Sequence, residues 1–148
     1  MCVRPAVSSL CSLLFVAAGE AFAAAPAQLL EIKLQDPSID PSIAHMRIVL
    51  DQGTIKPGRV ALHAVNQSKN LVHEVIVARD DGANELPMDD KHTRVNERRV
   101  QRLGEIADLA PGKSGKLTLN LKPGTYVLFC NQPGHYHDGM SAKLTVVP

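Results

Sequence analysis

The segment YVLFCNQPGHYHDGMSAKL, residues 126–144, joins two β-like stretches through a short loop that contains a Pro-Gly turn. Its metal-binding side chains are Cys130, His135, His137 and Met140. Side chains alternate along a strand, so Tyr126, Leu128 and Cys130 share one face. The sequence therefore predicts that the Cys130 sulfur points inward, towards a core.

The donor types in this loop indicate one metal in particular. His135 follows Cys130 by five residues, and Met140 follows His135 by five. Thiolate, imidazole and thioether together form a soft set, which suits copper cycling between Cu(I) and Cu(II). Zinc is the competing interpretation, but structural zinc sites favour four cysteine or histidine ligands and rarely use a thioether.

The start of the chain, MCVRPAVSSLCSLLFVAAGEAFAAAPAQ, has the features of a secretory signal peptide. Arg4 precedes an apolar run over 10–18, and Ala-Phe-Ala over 21–23 resembles a cleavage site. The run is shorter than the roughly 20 residues that a spanning helix needs. We therefore expect a signal peptide over 1–23 and one domain over 24–148, exported to the periplasm without a membrane span in the mature protein.

Cleavage would leave Cys130 as the only thiol, because Cys2 and Cys11 belong to the expected signal peptide. A single cysteine in an exported protein pairs between chains, stays buried or binds a ligand. Its neighbours in the loop favour binding.

Composition excludes several classes of partner. The formal net charge of the chain is +1, which provides no basic field for nucleic acid. The chain has no Trp and few aromatic residues, so a stacking surface for bases or sugars is not expected.

The mature chain is a series of short β-like stretches separated by turns. They lie at 29–34, 46–50, 58–66, 71–78, 115–121, 124–130 and 141–147. Alternating polarity, β-branched residues and closing Gly, Pro or Asn predict an all-β domain. We expect a Greek-key β-sandwich or barrel of about seven to eight strands.

One long charged connection interrupts this pattern, DDGANELPMDDKHTRVNERRVQR over 80–102. It is acidic in its first half and basic in its second. Val95, Val100 and Leu103 could give a short helix a weak apolar side, but a solvated surface excursion is favoured over a helix or a docking patch.

The second imidazole of a copper site has to come from elsewhere in the chain. In LVHEVIVA, His73 shares a strand face with Val75 and Val77, which places it among core side chains. A single histidine on an apolar face is usually a core residue, but here the other ligand types are already present. The remaining histidines and methionines are expected at the surface or in packing roles: His45, His63, His92, Met46 and Met88.

The pattern of His73 followed by Cys130-Asn-Gln-Pro-Gly-His135-Tyr-His-Asp-Gly-Met140 resembles the cupredoxins, the small blue copper proteins. The resemblance covers roughly 43–147 without the charged connection, and the loop spacing is similar to that of the rusticyanin and sulfocyanin type. It implies one type 1 copper ion, with His73, Cys130 and His135 as strong trigonal ligands and Met140 as the weak axial ligand.

Two residues depart from the family pattern. His137 lies two residues after His135 and could replace it as a ligand or serve a second metal, although the Pro-Gly turn and the spacing favour His135. Glu74 follows His73 where many blue copper proteins have an Asn that braces the ligand loop. The family pattern therefore does not predict which residues hold the ligands of this chain in place.

The resemblance implies an exported electron carrier that acts with a redox partner protein, with His135 as the electron route and the loop surface around Tyr136 and His137 as the docking face. We expect a monomer. The alternative is a periplasmic protein for copper tolerance or delivery, with a copper donor or acceptor as partner. An enzyme is not expected, because copper nitrite reductases and multicopper oxidases need further copper sites.

Overall fold

A computed structural model describes residues 27–148, so the predicted signal peptide over 1–23 lies outside the described residues. Within 27–148 the chain forms nine β-strands and one turn of 3-10 helix at Glu97–Arg99. The strands are β1 (Gln28–Gln35), β2 (Arg47–Leu50), β3 (Thr54–Ile55), β4 (Gly58–Asn66), β5 (His73–Arg79), β6 (Arg102–Leu109), β7 (Ser114–Leu121), β8 (Gly124–Phe129) and β9 (Ser141–Val146).

The strands form two sheets, with orders β2-β1-β4-β7 and β3-β9-β8-β5-β6. The pairs β1/β4 and β3/β9 are parallel, and the other pairs are antiparallel. Successive strands pass repeatedly from one sheet to the other, as in Greek-key sandwiches. The predicted all-β sandwich is confirmed, with nine strands in the described residues instead of the seven to eight expected.

The main core lies between the sheets, and β4 shows how the sequence builds it. Val60, Leu62 and Ala64 are buried at alternate positions, while the residues between them are partly exposed. The parallel register with β1 pairs Leu30 with Leu62 and places two buried leucines side by side. Alternation of this kind is what one buried sheet face requires.

Strand β5 is buried on both faces. Val75 and Val77 belong to the main core, whereas Ile76 and Ala78 belong to a second hydrophobic cluster on the outer face of the sheet. The second cluster consists of Ile76, Ala78, Leu86, Val95, Val127 and Phe129. Its members come from β5, β8 and the charged connection.

The prediction of a solvated excursion over 80–102 is therefore wrong for its apolar residues. Leu86 and Val95 are buried against the outer face of β5 and β8, and Met88 and Val100 pack beside them. The burial of these residues could not be predicted from the sequence, because the few apolar residues of the segment are spaced irregularly among charged ones. The only helical turn in this connection is Glu97–Arg99.

The sequence also missed β6, which starts at Arg102 and pairs with β5 at the edge of its sheet. Its pairing contains register shifts, and its buried residues, Ile106 and Leu109, do not alternate with exposed ones. Edge strands commonly carry charges and irregularities, which weaken the pattern that identifies a strand.

Several strand ends meet at one pole of the sandwich. The register pairs Leu34 near the end of β1 with Asn66 at the end of β4. The Asn66 amide donates to the carbonyls of Leu71 at 2.8 Å and Leu109 at 2.7 Å, and so fixes the loop that leads into β5. Across 27–148, no helix is long and apolar enough to cross a membrane.

Candidate metal centre

His73 and Cys130 are brought together by two neighbouring strands. His73 is the first residue of β5, Cys130 directly follows β8, and the antiparallel register pairs Ile76 with Phe129. The start of β5 therefore lies beside the end of β8. Both side chains are fully buried, as the strand pattern predicted.

The loop between β8 and β9 closes on itself through backbone hydrogen bonds. The Met140 N–H donates to the carbonyl of His135 at 3.0 Å, and the Cys130 N–H donates to the carbonyl of Met140 at 3.1 Å. Gly134 has φ 81°, which favours glycine and allows the tight turn before His135. The backbones of the three loop residues predicted as ligands are thus tied directly to one another.

Three donor atoms converge at this pole. The Cys130 Sγ lies 3.4 Å from the His135 Nδ1 and 4.0 Å from the His73 Nδ1, and the two nitrogens are 3.2 Å apart. All three atoms lie within 4.8 Å of one another. Met140 is fully buried in the same core cluster as Cys130. His137 is exposed and lies outside the group of donor atoms.

Burial shifts the pKa values of two of the donors, Cys130 and His135. It raises the pKa of the Cys130 thiol to about 11. It also lowers the pKa of His135, and the neighbouring His73 lowers it further. Because a thiolate is the form that binds a metal, metal binding would release the proton of Cys130.

The buried carboxylate of Asp36, which was not predicted from the sequence, contacts the ring nitrogen of His73 that faces away from Cys130 and His135. The Asp36 Oδ2 lies 3.0 Å from the His73 Nε2, and the Asp36 Oδ1 accepts from the Ser38 N–H at 2.7 Å. Burial acts to raise the pKa of Asp36, but hydrogen bonds from Ser38, Ser68 and His73 outweigh it and lower the pKa to about 2. An ionised carboxylate only accepts, so the Nε2 of His73 carries the proton and its Nδ1 presents a lone pair.

Glu74 occupies the position where many family members have Asn, and it contacts the ligand loop. Its Oε1 accepts from the Asn131 N–H at 3.0 Å, next to Cys130. Burial, together with the nearby charges of Glu105 and Asp108, raises the pKa of Glu74 to about 7. The loop is therefore braced from this position by a carboxyl group instead of an amide.

Asn131 connects the ligand loop to the charged connection. Its Oδ1 accepts from the Val95 N–H at 2.6 Å, and its Nδ2 donates to the Val95 carbonyl at 3.1 Å and to Glu97 at 2.9 Å. The Arg94 guanidinium donates to the Asn131 carbonyl at 2.7 Å, and the Gly134 N–H donates to the Thr93 carbonyl at 2.8 Å. The connection thus supports the loop directly, a role that its sequence did not indicate.

Tyr136 is also attached to the connection. Its hydroxyl oxygen accepts from the Leu86 N–H at 3.0 Å, and its ring lies edge-on to Phe129 with centroids 6.1 Å apart. Tyr136 is therefore only partly available to the docking face expected around it, whereas His137 is exposed.

The other histidines lie outside the group of converging donor atoms. His45 is exposed and 3.3 Å from Asp138, and His63 contacts Glu31 at 2.8 Å on the outer side of the first sheet. His92 is exposed in a turn, with φ 53°. Among residues 27–148, His73, Cys130 and His135 are the only group that the structure brings together as a candidate metal site.

Comparison with known proteins identifies the family. Residues 38–147 match the family of copper binding proteins described as plastocyanin/azurin. The chain belongs to this family, and the resemblance to cupredoxins is confirmed. The family cofactor is a single type 1 copper ion, and the donors here fit it, because two imidazole nitrogens and one cysteine sulfur converge in a buried site with a methionine close by.

Individual relatives support the same fold. A segment of 47 residues is 49% identical to auracyanin-B of Chloroflexus aurantiacus, and covers 31% of this chain and 20% of that protein. The match thus spans about a fifth of the curated relative. An auracyanin structure from the photosynthetic bacterium Roseiflexus castenholzii aligns with TM-score 0.57 and 21% identity, over 83% of this chain and 98% of that one. Rusticyanin from Thiobacillus ferrooxidans aligns with TM-score 0.56 and 18% identity, over 80% and 76%.

Proposed function

We propose that this protein is an exported electron carrier that holds one type 1 copper ion. His73, Cys130 and His135 would be the strong ligands and Met140 the weak axial ligand. The observation that carries the proposal is the convergence of three donor atoms within 4.8 Å, with two of the residues fully buried.

A rigid frame of ligands is what electron transfer requires. When bound, copper supplies a one-electron couple between Cu(I) and Cu(II), whose preferred geometries differ. The protein contributes by limiting rearrangement: Asp36 fixes the ring of His73, and Glu74 and Asn131 fix the backbone beside Cys130. Burial of His73 and Cys130 excludes water from their donor atoms.

The partly exposed position of His135 suggests where a redox partner would dock. Among the proposed ligands, His73, Cys130 and Met140 are buried, while His135 is partly exposed. A partner protein at this pole would approach the centre most closely through His135. The exposed His137 would belong to the docking surface and not to the ligand set. We propose that the carrier acts as a monomer in the periplasm.

The relatives support redox activity. The auracyanin structure from Roseiflexus castenholzii is of the dithionite-reduced protein, and a rusticyanin structure is of the reduced form. Those proteins can therefore be reduced. Transfer of this property to the present chain is part of the proposal.

Burial favours the electron carrier over copper tolerance or delivery. A delivery protein has to release its metal, and release here would require the loop from Cys130 to Met140 to separate from the charged connection. Exchange with a copper chelator tests this point. We expect exchange to be much slower than reduction and reoxidation of the bound copper, whereas exchange as fast as redox cycling would support delivery.

Absorption spectroscopy of the copper-loaded protein tests the proposal. We expect an intense visible thiolate-to-copper band in the wild type, loss of the band in Cys130→Ser and strong perturbation in His135→Ala. His137→Ala is the matched control and should retain the band, because His137 is exposed. The bound copper should also be reduced and reoxidised rapidly. A colourless protein that prefers zinc would refute the proposal, as would a band that survives in Cys130→Ser.

A further inference from the structure

Both side chains of the Asp36–His73 contact are buried. Their side chains are 1% and 0% exposed, and the Asp36 Oδ2 lies 3.0 Å from the His73 Nε2. The other nitrogen of the same ring, Nδ1, faces His135 and Cys130. One imidazole therefore links a buried carboxylate directly to the group of donor atoms.

Asp36 is itself held in place. It directly follows β1, and its Oδ1 accepts from the Ser38 N–H at 2.7 Å. The Ser38 hydroxyl lies 3.3 Å from the hydroxyl of Ser68, which is buried in the loop before β5. The Asp36 carboxylate therefore cannot rotate away from His73 without breaking its hydrogen bond with the Ser38 N–H.

We propose that Asp36 is a positioning residue that fixes the tautomer of His73 and lowers the reduction potential of the copper centre. The inference rests on the proposed function. A carboxylate that accepts from the far N–H of a ligating imidazole orients the ring and makes the other nitrogen a stronger donor. The buried negative charge also favours the more highly charged Cu(II) over Cu(I), since it is poorly screened by water.

A purely structural role for Asp36 makes a different prediction. If Asp36 only closed the turn with Ser38, loss of its charge would change stability and leave the potential unaltered. Asp36→Asn separates the two roles, because the amide keeps an oxygen that can accept from His73 and has nearly the same shape.

The test compares Asp36→Asn with Glu31→Gln. Glu31 contacts His63 at 2.8 Å on the outer side of the first sheet, so its variant removes the same charge from a carboxylate–histidine pair far from the donor atoms. We expect Asp36→Asn to weaken Cu(II) binding relative to Cu(I) by about ten- to a hundredfold. A tenfold change in a one-electron couple is about 59 mV, so the potential should rise by about 60 to 120 mV. Glu31→Gln should leave the potential unchanged.

A second measurement does not depend on copper. Nitrogen-15 NMR of the metal-free wild type should show the His73 proton on Nε2, a preference that should persist in Asp36→Asn and be lost in Asp36→Ala. A proton on Nδ1 in the wild type would overturn the inference even if no variant folds. A potential for Asp36→Asn equal to that of Glu31→Gln would also overturn it. Failure of the proposed function looks different, because the wild type itself would then lack the thiolate-to-copper band.

Discussion

Replacement of Asn131 by alanine tests whether the charged connection supports the ligand loop. In Asn131→Ala, the Val95 N–H and carbonyl lose their partners at 2.6 and 3.1 Å, and Val95 is only 3% exposed. An unsatisfied buried polar group costs about 1 to 3 kcal/mol. Two such groups would cost about 2 to 6 kcal/mol, and the exposed neighbour Arg94 admits some water, so we expect about 2 to 4 kcal/mol.

Urea unfolding of the metal-free protein measures this cost as a change in the free energy of unfolding. For a domain of this size, about 1 kcal/mol shifts Tm by about 4 °C, so the expected decrease is about 8 to 16 °C. Asn120→Ala is the matched control, because Asn120 is an exposed residue of β7 and the substitution should cost less than about 0.5 kcal/mol. Equal stability of the two variants would contradict the role given to Asn131.

Two further predictions concern packing. Leu86→Ala should lower the free energy of unfolding by about 2 to 3 kcal/mol in urea titrations, since Leu86 is buried in the second cluster. Leu29→Ala is the control, because Leu29 is exposed. Equal effects of the two substitutions would contradict the packing of Leu86 in the second cluster. Gly115→Ala should cost about 1 to 3 kcal/mol, because its Cβ would lie 2.4 Å from Ile106 Cγ2. Gly53→Ala, with nothing within 4 Å, should be nearly neutral in the same assay, and a neutral Gly115→Ala would contradict the close packing there.

The strands that bury one face were predictable from the sequence, because alternation is a direct consequence of strand geometry. The predicted 58–66 corresponds to β4 at Gly58–Asn66, in which buried and partly exposed residues alternate. The edge strand β6 was missed, because its charges and register shifts remove the alternation. Regular alternation identifies a strand even at a sheet edge, since the predicted 115–121 corresponds to the edge strand β7 at Ser114–Leu121.

The candidate site was predictable in part, for a similar reason. Cys130, His135 and Met140 lie within one loop, so their spacing is visible in the sequence, and His73 could be inferred from the ligand that the loop lacked. Asp36 could not be inferred in this way. It meets His73 only because the end of β1 and the start of β5 reach the same pole, and a carboxylate in a turn has no pattern that reveals such a partner.

The two hydrophobic clusters explain why the chain retains so long a connection between β5 and β6. Strands β5 and β8 carry His73 and Cys130 at their ends, and each strand has one face in the main core and the other in the second cluster. Without the connection, the outer faces at Ile76 and Phe129 would be exposed to water. The connection covers them and then binds the ligand loop through Asn131. Packing of the strands and placement of the loop therefore depend on the same segment, so a substitution that loosens one should also loosen the other.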